Sequence, residues 1–312
     1  MAKLDLSKKA LKKKILLCIL YHNKKINLEK LLNKIQLNFV GRILIINDGI
    51  DYNFKKKNFK EIRFINQPKR KYSISINRNV ALKYAKKNKF EILLFLDSDI
   101  IPQKNLVENH LKSHTQNSSL FVVGGPVLPS SNFKKFNFWE FLDGRLSWFT
   151  SLDQNTSHYV YWPYHLPTCN LSIRVNKFFQ KKIRFNEKIE TGEDADLFDQ
   201  IRKFELKAYF DNNCKVKHID RKDFLSFFNH HFQWGRHQYH NIFKLKKKQQ
   251  KFLFLIFYPF IYPLLVILQT FFVLKKWCLK NFLYIFLLPI FTLIFAVKSL
   301  ATYLEGYKSF FK

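Results

Sequence analysis

One short segment, residues 91–99 with the sequence EILLFLDSD, constrains the fold of this chain more than any other. Five consecutive apolar residues bounded by polar ones are typical of a β-strand that is buried on both faces. Such strands belong to sheets covered by helices, and ligands of these sheets bind beyond the carboxyl ends of the strands. Asp97 and Asp99, which end the run, are therefore predicted to face a ligand.

The two carboxylates have two explanations that the motif alone does not separate. Asp97-Ser98-Asp99 could cap a helix that begins near Pro102. Alternatively, the carboxylates hold a divalent cation, because two acids this close repel each other unless a cation lies beside them. Mg²⁺ and Mn²⁺ are the plausible cations, since hard metals take oxygen ligands and share them with a substrate's phosphates.

Strand-like and helix-like segments alternate through the first half of the chain. This order predicts an α/β fold with a mostly parallel sheet and right-handed crossovers. The aromatic, irregular segment 133–164 is predicted to be a substrate-facing insertion rather than part of the sheet. The predicted strands cover residues 15–21, 42–46, 62–65, 92–96 and 120–123, and the predicted helices cover residues 28–37 and 75–87.

The charge and the cysteines restrict the class of protein. Lys and Arg outnumber Asp and Glu by 54 to 23, which gives a formal charge of +31. Nucleic-acid binding would explain that charge but not paired acids at a strand end, which repel phosphate when no metal is present. The four cysteines are far apart and form no CxxC pair, so neither a zinc site nor a disulfide framework is predicted.

The C-terminal region is apolar enough to enter a membrane. Residues 252–274 form one apolar run and residues 281–297 a second. Twenty-three helical residues are long enough to span a hydrocarbon core of about 30 Å. The basic cluster at residues 244–251 places both ends of this hairpin in the cytoplasm. Three prolines leave a re-entrant or interface-lying hairpin as the alternative.

Further polar clusters stand where an α/β ligand site would gather them. Taken singly, each has a structural explanation: a turn, a solvated helix charge, acids in the first turn of a helix, a satisfied histidine or an interfacial helix. The clusters are centred on Asp48, Arg78, residues 193–196, His218 and Arg236.

In their order along the chain, these motifs resemble the family 2 glycosyltransferases, inverting enzymes with the GT-A fold, over residues 14–241. The resemblance implies a GT-A-type mostly parallel sheet flanked by helices, followed by two C-terminal membrane helices. It divides the chain into a catalytic domain, residues 1–243, and a membrane-associated helical hairpin, residues 244–312. The matching motifs are Tyr21-His22-Asn23, IINDG, SINRNVALKYA, LLFLDSDIIP, CNLSIR, GEDADL, the His218 position and QWGR.

The resemblance assigns the donor side of the site. Asp48 and Arg78 are expected to contact the nucleotide base, and Asp97 is expected to lie beside the base or the ribose. Asp99 is the expected ligand of Mn²⁺ or Mg²⁺, and His218 completes the metal or phosphate shell. Arg236 is expected to reach the diphosphate with bidentate hydrogen bonds.

On the acceptor side, the resemblance assigns Asp194 as the general base. In a single-displacement inverting transfer, a carboxylate takes the proton of the acceptor hydroxyl as its oxygen attacks the anomeric carbon. Glu193 and Asp196 are expected to bind the acceptor, or alternatively to cap the helix.

Two departures from the family pattern narrow the expected activity. The usual Asp-Asp-Gly-Ser is Asn47-Asp48-Gly49-Ile50 here, so one acidic contact is missing. QWGR is not the complete QxxRW of processive synthases, and two membrane helices at most are too few for a polymer channel.

We therefore expect a hexosyl- or hexosaminyltransferase at the cytoplasmic face of the inner membrane, acting in cell-envelope polysaccharide biosynthesis. It would move one sugar from a nucleoside-diphosphate sugar to a hydroxyl of a lipid-linked or cell-surface polysaccharide precursor, with membrane lipid and no nucleic acid as partners. Transfer to a polyprenyl phosphate and an inactive nucleotide-sugar-binding scaffold are the alternatives.

Overall fold

A computed structural model describes the chain at residues 14–22, 25–35, 39–48, 62–66, 74–131, 137–148, 156–161, 166–189, 192–240, 247–275 and 282–311. The chain forms two compact units, Met1–Asp220 and Arg221–Lys312. The division into domains at residue 243 stays a prediction, and the compact units divide earlier, after Asp220.

An eight-stranded sheet forms the centre of the first unit. Its strand order is β3-β2-β1-β4-β9-β6-β10-β8, and six of the eight strands run in the same direction. The strands are β1 (Ile15–Tyr21), β2 (Arg42–Asn47), β3 (Ile62–Asn66), β4 (Ile92–Asp97), β6 (Leu120–Gly124), β8 (His158–Tyr159), β9 (Asn170–Arg174) and β10 (Lys207–Phe210).

Helices cover both faces of this sheet, as the fully apolar strands require. Successive side chains of a strand point to opposite faces, so Ile15 and Leu17 enter one core and Leu16 and Cys18 enter the other. Helices α1 (Lys25–Lys34) and α3 (Leu106–Gln116) contribute to the first core. Helices α2 (Ile74–Lys87), α5 (Val175–Gln180) and α6 (Glu193–Lys203) contribute to the second.

Strand β9 is the antiparallel strand inside this otherwise parallel region, and it carries polar side chains into the core. Ser172 Oγ lies 2.9 Å from both His110 Nδ1 and His114 Nε2, and Asn170 Oδ1 lies 3.1 Å from His110 Nε2. Burial lowers the pKa of His110 to about 4 and that of His114 to about 3. Both imidazoles are therefore neutral members of a buried hydrogen-bond network.

A second, three-stranded sheet decides between the two explanations of the Asp97-Ser98-Asp99 triplet. Strand β11 (Val216–His218) pairs with β5 (Ile100–Pro102) and with β7 (Val127–Pro129). The triplet is thus a turn from β4 into β5, and the next helix, α3, has Asn105 as its N-cap. The capping explanation near Pro102 is wrong, because β5 occupies that position.

Segment 133–164 is more regular than its composition indicates. Helix α4 (Phe138–Ser147) lies within it, and the two residues of β8 pair with β10 at the edge of the main sheet. The expectation that this segment contributes nothing to the sheet is wrong, because a two-residue strand is too short to show periodicity. Residues 133–136, 149–155 and 162–164, which the same prediction covers, lie outside the described residues.

The second unit consists of α7 (Phe224–Gln238), α8 (Lys248–Val273), a short 3₁₀ helix (Phe282–Leu287) and α9 (Leu288–Phe311). Gly235 allows α7 to approach α9 closely, since a Cβ at this position would collide with the Lys298 carbonyl oxygen. Thr302 Oγ1 donates to the Gly235 carbonyl at 2.7 Å. Among the described residues, two helical spans, Lys248–Val273 and Tyr284–Phe311, are long and apolar enough to cross a membrane, on length and composition alone.

Candidate active site

The site begins at the carboxyl ends of three adjacent parallel strands. Tyr21 of β1 pairs with Asn47 of β2, and Leu20 pairs with Asp97 of β4. Asp48 follows directly after β2. Because parallel strands in register end at the same edge of a sheet, Asp48 and Asp97 flank the end of β1.

Asp48 is held in place by two neighbouring polar side chains. Its Oδ2 accepts a hydrogen bond from Asn77 Nδ2 at 2.6 Å, and its Oδ1 lies 2.9 Å from His22 Nδ1. Asn47, which replaces the usual acid, is buried and donates its amide to Asn66 Oδ1 at 3.1 Å. The side chain of Asn47 therefore joins β2 to β3.

Arg78 lies on α2 and is fully buried. Its guanidinium forms an ion pair with Glu193, and its Nη2 lies 3.6 Å from Asp97 Oδ1. Thr168 Oγ1 donates to the same Glu193 carboxylate at 3.2 Å. Burial alone would lower the pKa of Arg78, but Glu193, Asp97 and Asp194 more than offset this and raise it. The guanidinium is therefore a fixed cation beneath the strand ends, and Arg78, Glu193 and Asp97 are called the Arg78 cluster below.

Asp97 lies between this built-in cation and the next acid along the chain. Burial raises the pKa of Asp97 to about 6; Arg78 opposes the rise and Asp99 adds to it. Asp97 is thus the point at which the Arg78 cluster meets the second group of side chains.

The second group is formed by Asp99, His218, Asp220 and Trp148, and is called the His218 cluster below. His218 of β11 pairs with Ile100 of β5, which brings the imidazole beside Asp99. His218 Nε2 lies 3.4 Å from Asp99 Oδ1, and His218 Nδ1 lies 2.9 Å from Asp220 Oδ1. Burial alone would lower the pKa of His218, but the two carboxylates outweigh it and raise the pKa to about 10.

The donor atoms of Asp99 and His218 suit a divalent cation. The half-buried carboxylate of Asp99 and the buried imidazole of His218 are acceptable ligands for Mn²⁺. Within the described residues, no group of three or more His, Cys, Asp or Glu side chains could hold a metal ion. The pair fits a cation that takes its remaining ligands from phosphate oxygens and water, which is the usual binding mode of Mg²⁺.

Helix α6 presents the remaining acids. Gly192, with a φ of 81°, turns the chain into the helix through the left-handed region that favours glycine. Glu193 faces inward to Arg78, whereas Asp194 and Asp196 are partly exposed. Asp196 accepts a hydrogen bond from Gln200 at 3.0 Å. The assignment of Glu193 to acceptor binding stays a prediction, and in this structure its carboxylate is occupied by Arg78 and Thr168.

Arg236 lies in the second unit, on α7. Its Nε donates to Glu305 Oε2 at 2.8 Å, and His240 Nε2 lies 3.2 Å from Glu305 Oε1. The role of Arg236 toward a diphosphate stays a prediction. In this structure its guanidinium joins α7 to α9.

Three side chains of the site were not predicted from the sequence: Asp220, Trp148 and Thr168. Asp220 had a detectable signal, because two residues separated by one position in an extended segment share a face, and His218-Ile219-Asp220 has this spacing. Trp148 and Thr168 had no such signal, since they approach from segments distant in sequence.

The order of the strands, with β9 inserted antiparallel beside β4 and the carboxylates at the strand ends, places the chain in the class of GT-A-like α/β folds. The profile of the family described as Glycosyl transferase family 2 matches residues 17–181, more than half of the chain. The chain belongs to glycosyl transferase family 2.

Two solved structures are similar to this chain, and the first of them agrees with this class. A mannosyltransferase from Pyrobaculum calidifontis, in complex with GDP-Man and Mn²⁺, matches with a TM-score of 0.53 and 11% identity, over 73% of this chain and 62% of its own. S. aureus TarS matches with a TM-score of 0.47 and 16% identity, over 76% of this chain and 41% of its own. This chain thus spans less than two thirds of either relative. No curated protein matches it significantly. The likeness to the mannosyltransferase confirms the predicted fold.

Proposed function

We propose that this chain is a metal-dependent inverting glycosyltransferase that moves one sugar from a nucleoside-diphosphate sugar to a hydroxyl of a membrane-proximal acceptor. The observation that carries the proposal is the meeting of Asp97, Asp99 and His218 at the ligand edge of the sheet. These residues come from segments more than 115 residues apart, and their charges are balanced only in part by the protein.

On the donor side, Asp99 and His218 would hold Mn²⁺ or Mg²⁺. When bound, the cation offsets the negative charge that develops on the departing nucleoside diphosphate. Asp48, fixed by Asn77 and His22, is a pre-oriented acceptor for an N–H group of the base. Arg78 is the second proposed contact of the base, and in this structure its guanidinium pairs with Glu193 and lies beside Asp97.

On the acceptor side, Asp194 is the general base. It is partly exposed at the first turn of α6, next to the buried Glu193, and it interacts electrostatically with Arg78. A carboxylate in this position can take the hydroxyl proton of the acceptor as the oxygen attacks. Asp196 would contribute to acceptor binding.

The acceptor is proposed to be lipid-linked, or a cell-surface polysaccharide precursor, at the cytoplasmic face of the inner membrane. The two apolar helices support this location by length and composition. The alternatives are transfer to a polyprenyl phosphate, whose anionic oxygen needs no base at Asp194, and an inactive scaffold that binds nucleotide sugars.

The test is thermal stabilisation of the detergent-purified full chain by UDP-, GDP- and CDP-sugars, with Mn²⁺ or with EDTA. GDP-mannose belongs in the panel because the similar mannosyltransferase structure contains it. We expect one nucleotide class to stabilise the protein only when Mn²⁺ is present, and Asp99→Ala to abolish that effect. Asp211→Asn is the control, because it changes another buried carboxylate, whose hydrogen-bond partners include Ser113 and Asn213. If folded protein is stabilised by none of these donors, the catalytic proposal fails.

A further inference from the structure

Asp220 is a buried carboxylate placed between an imidazole and an indole. Its Oδ1 lies 2.9 Å from His218 Nδ1 and 2.9 Å from Trp148 Nε1. The Trp148 ring also packs against the His218 ring, with their centroids 4.7 Å apart. Asp220 therefore contacts one nitrogen of a histidine whose other nitrogen faces Asp99, and Trp148 contacts both the carboxylate and the imidazole ring.

The hydrogen-bond chemistry fixes which nitrogen of His218 carries a proton. An ionised carboxylate only accepts, and an indole N–H only donates. His218 Nδ1 must therefore carry its proton and donate it to Asp220. In the neutral imidazole this leaves the lone pair on Nε2, the atom that lies 3.4 Å from Asp99.

The backbone around His218 is held as firmly as the ring. Ile219 N donates to the Asp99 carbonyl at 2.9 Å, and Ser130 N donates to the His218 carbonyl at 2.9 Å. Only rotation of the side chain could move Nε2 away from Asp99. The contacts of Asp220 and Trp148 are the ones that oppose this rotation.

The charge of Asp220 is not needed to satisfy Trp148, because a neutral amide oxygen would accept the same indole hydrogen bond. Among the described residues, Asp220 Oδ2 is buried without a hydrogen-bond partner. Burying a carboxylate in this way costs free energy unless a cationic or metal-bound imidazole beside it stabilises its negative charge.

We propose that Asp220 is a positioning residue that fixes His218 with Nε2 directed, together with Asp99, at the cation and diphosphate of the donor. Trp148 holds the Asp220 carboxylate in the orientation that this requires. The inference rests on the proposed function, because it assigns the cation and the diphosphate to the same site.

The test measures the Mn²⁺ concentration that gives half of the maximal thermal stabilisation by UDP, GDP or CDP, whichever stabilises the full-length protein. Asp220→Asn keeps the shape of the side chain and removes its charge. We expect it to raise the Mn²⁺ requirement about 10- to 100-fold, as loss of a carboxylate behind a metal-binding histidine does. Trp148→Phe keeps the ring packing and should shift the requirement in the same direction by a smaller factor.

Two controls separate positioning from general damage. Asp211→Asn removes the charge of another buried carboxylate outside the site and should leave the Mn²⁺ requirement within about twofold. In the double variant Asp220→Asn/His218→Ala, the effect should equal that of His218→Ala alone, since Asp220 acts through His218.

The possible outcomes distinguish the positioning role of Asp220 from the proposed function. If wild type responds to Mn²⁺ and Asp220→Asn has the same requirement, or if the two losses multiply in the double variant, the positioning role is overturned and the proposed function stands. If wild type binds a nucleotide without any Mn²⁺ dependence, the proposed metal chemistry fails and the inference fails with it.

Discussion

The Arg78 cluster and the His218 cluster lie next to each other and differ in the group that balances the negative charge of their carboxylates. In the Arg78 cluster, a fully buried and permanently charged guanidinium forms an ion pair with Glu193 and lies beside Asp97. In the His218 cluster, the partner of Asp99 is an imidazole, a group that can give up its proton when a metal arrives. In the first arrangement the cation is a permanent part of the protein, whereas in the second the imidazole can exchange its proton for an external cation.

The prediction with the largest expected effect concerns Asp194, which neighbours the Arg78 cluster without belonging to it. Asp194→Asn should lower kcat about 10²- to 10⁴-fold because the acceptor hydroxyl loses its proton acceptor. Stabilisation by nucleotide and Mn²⁺ should be unchanged. Asp199→Asn, on the exposed side of the same helix, is the matched control. An unchanged kcat in Asp194→Asn would favour transfer to an already anionic polyprenyl phosphate.

The next prediction tests whether Arg78 is the cation that stabilises the carboxylates of the Arg78 cluster. Arg78→Met leaves the buried Glu193 and the half-buried Asp97 without their cation and should reduce the free energy of unfolding by about 3–5 kcal/mol. Arg202→Met removes an ion pair with Asp199 at the helix surface and should cost about 0.5 kcal/mol or less. Denaturant unfolding measures both. Equal losses in the two variants would show that the Arg78 cluster contributes no more to the free energy of unfolding than the surface ion pair of Arg202 and Asp199 does.

A third prediction tests whether the His218 cluster is incomplete without an external cation. Asp99→Asn should lower kcat/KM at least about 100-fold and abolish the response to Mn²⁺, because it removes a proposed metal ligand. Without ligand it should lose less of the free energy of unfolding than Arg78→Met does, because Asp99 is half-buried and its contact with His218 is long, at 3.4 Å. A large loss of stability in the absence of Mn²⁺ would mean that Asp99 is needed for folding and would break the comparison.

The smallest expected effect comes from histidines whose pKa shifts in the direction opposite to that of His218. His110 and His114 have folded-state pKa values of about 4 and about 3, below the unfolded value of 6.5. Between pH 6.5 and 4 the unfolded chain binds more protons, so stability should fall as the pH decreases through this window. Each histidine contributes a slope approaching about 1.4 kcal/mol per pH unit. In His110→Gln, unfolding at pH 7 and pH 5 should show a smaller difference than in wild type.

Local patterns predicted the strands well, because burial on both faces leaves a continuous apolar run. Strand β1 covers Ile15–Tyr21, as predicted, and β2 extends by one residue to Asn47. The first helix begins and ends earlier than predicted, at Lys25 and Lys34. Helix ends depend on caps and tertiary contacts, which periodicity does not detect.

The contacts within the site could not be predicted from the sequence in the same way. Arg78 and Glu193 are 115 positions apart, and Trp148 and Asp220 are 72 apart. Only the folded sheet determines that such residues meet. The resemblance to a family gave Arg78 and Glu193 separate roles, on nucleotide and acceptor, and could not show that they form one ion pair.

The close packing of Gly235 on α9 bears on how this protein can be truncated. Cutting the chain after residue 243, an obvious way to obtain a detergent-free enzyme, would remove Lys298, Thr302 and Glu305. The QWGR segment, residues 233–236, would remain in the shortened chain but would lose helix α9, against which it packs. The apolar helices α8 and α9 and the final family motif therefore form one folded unit, and a shortened chain would lose the packing of that motif.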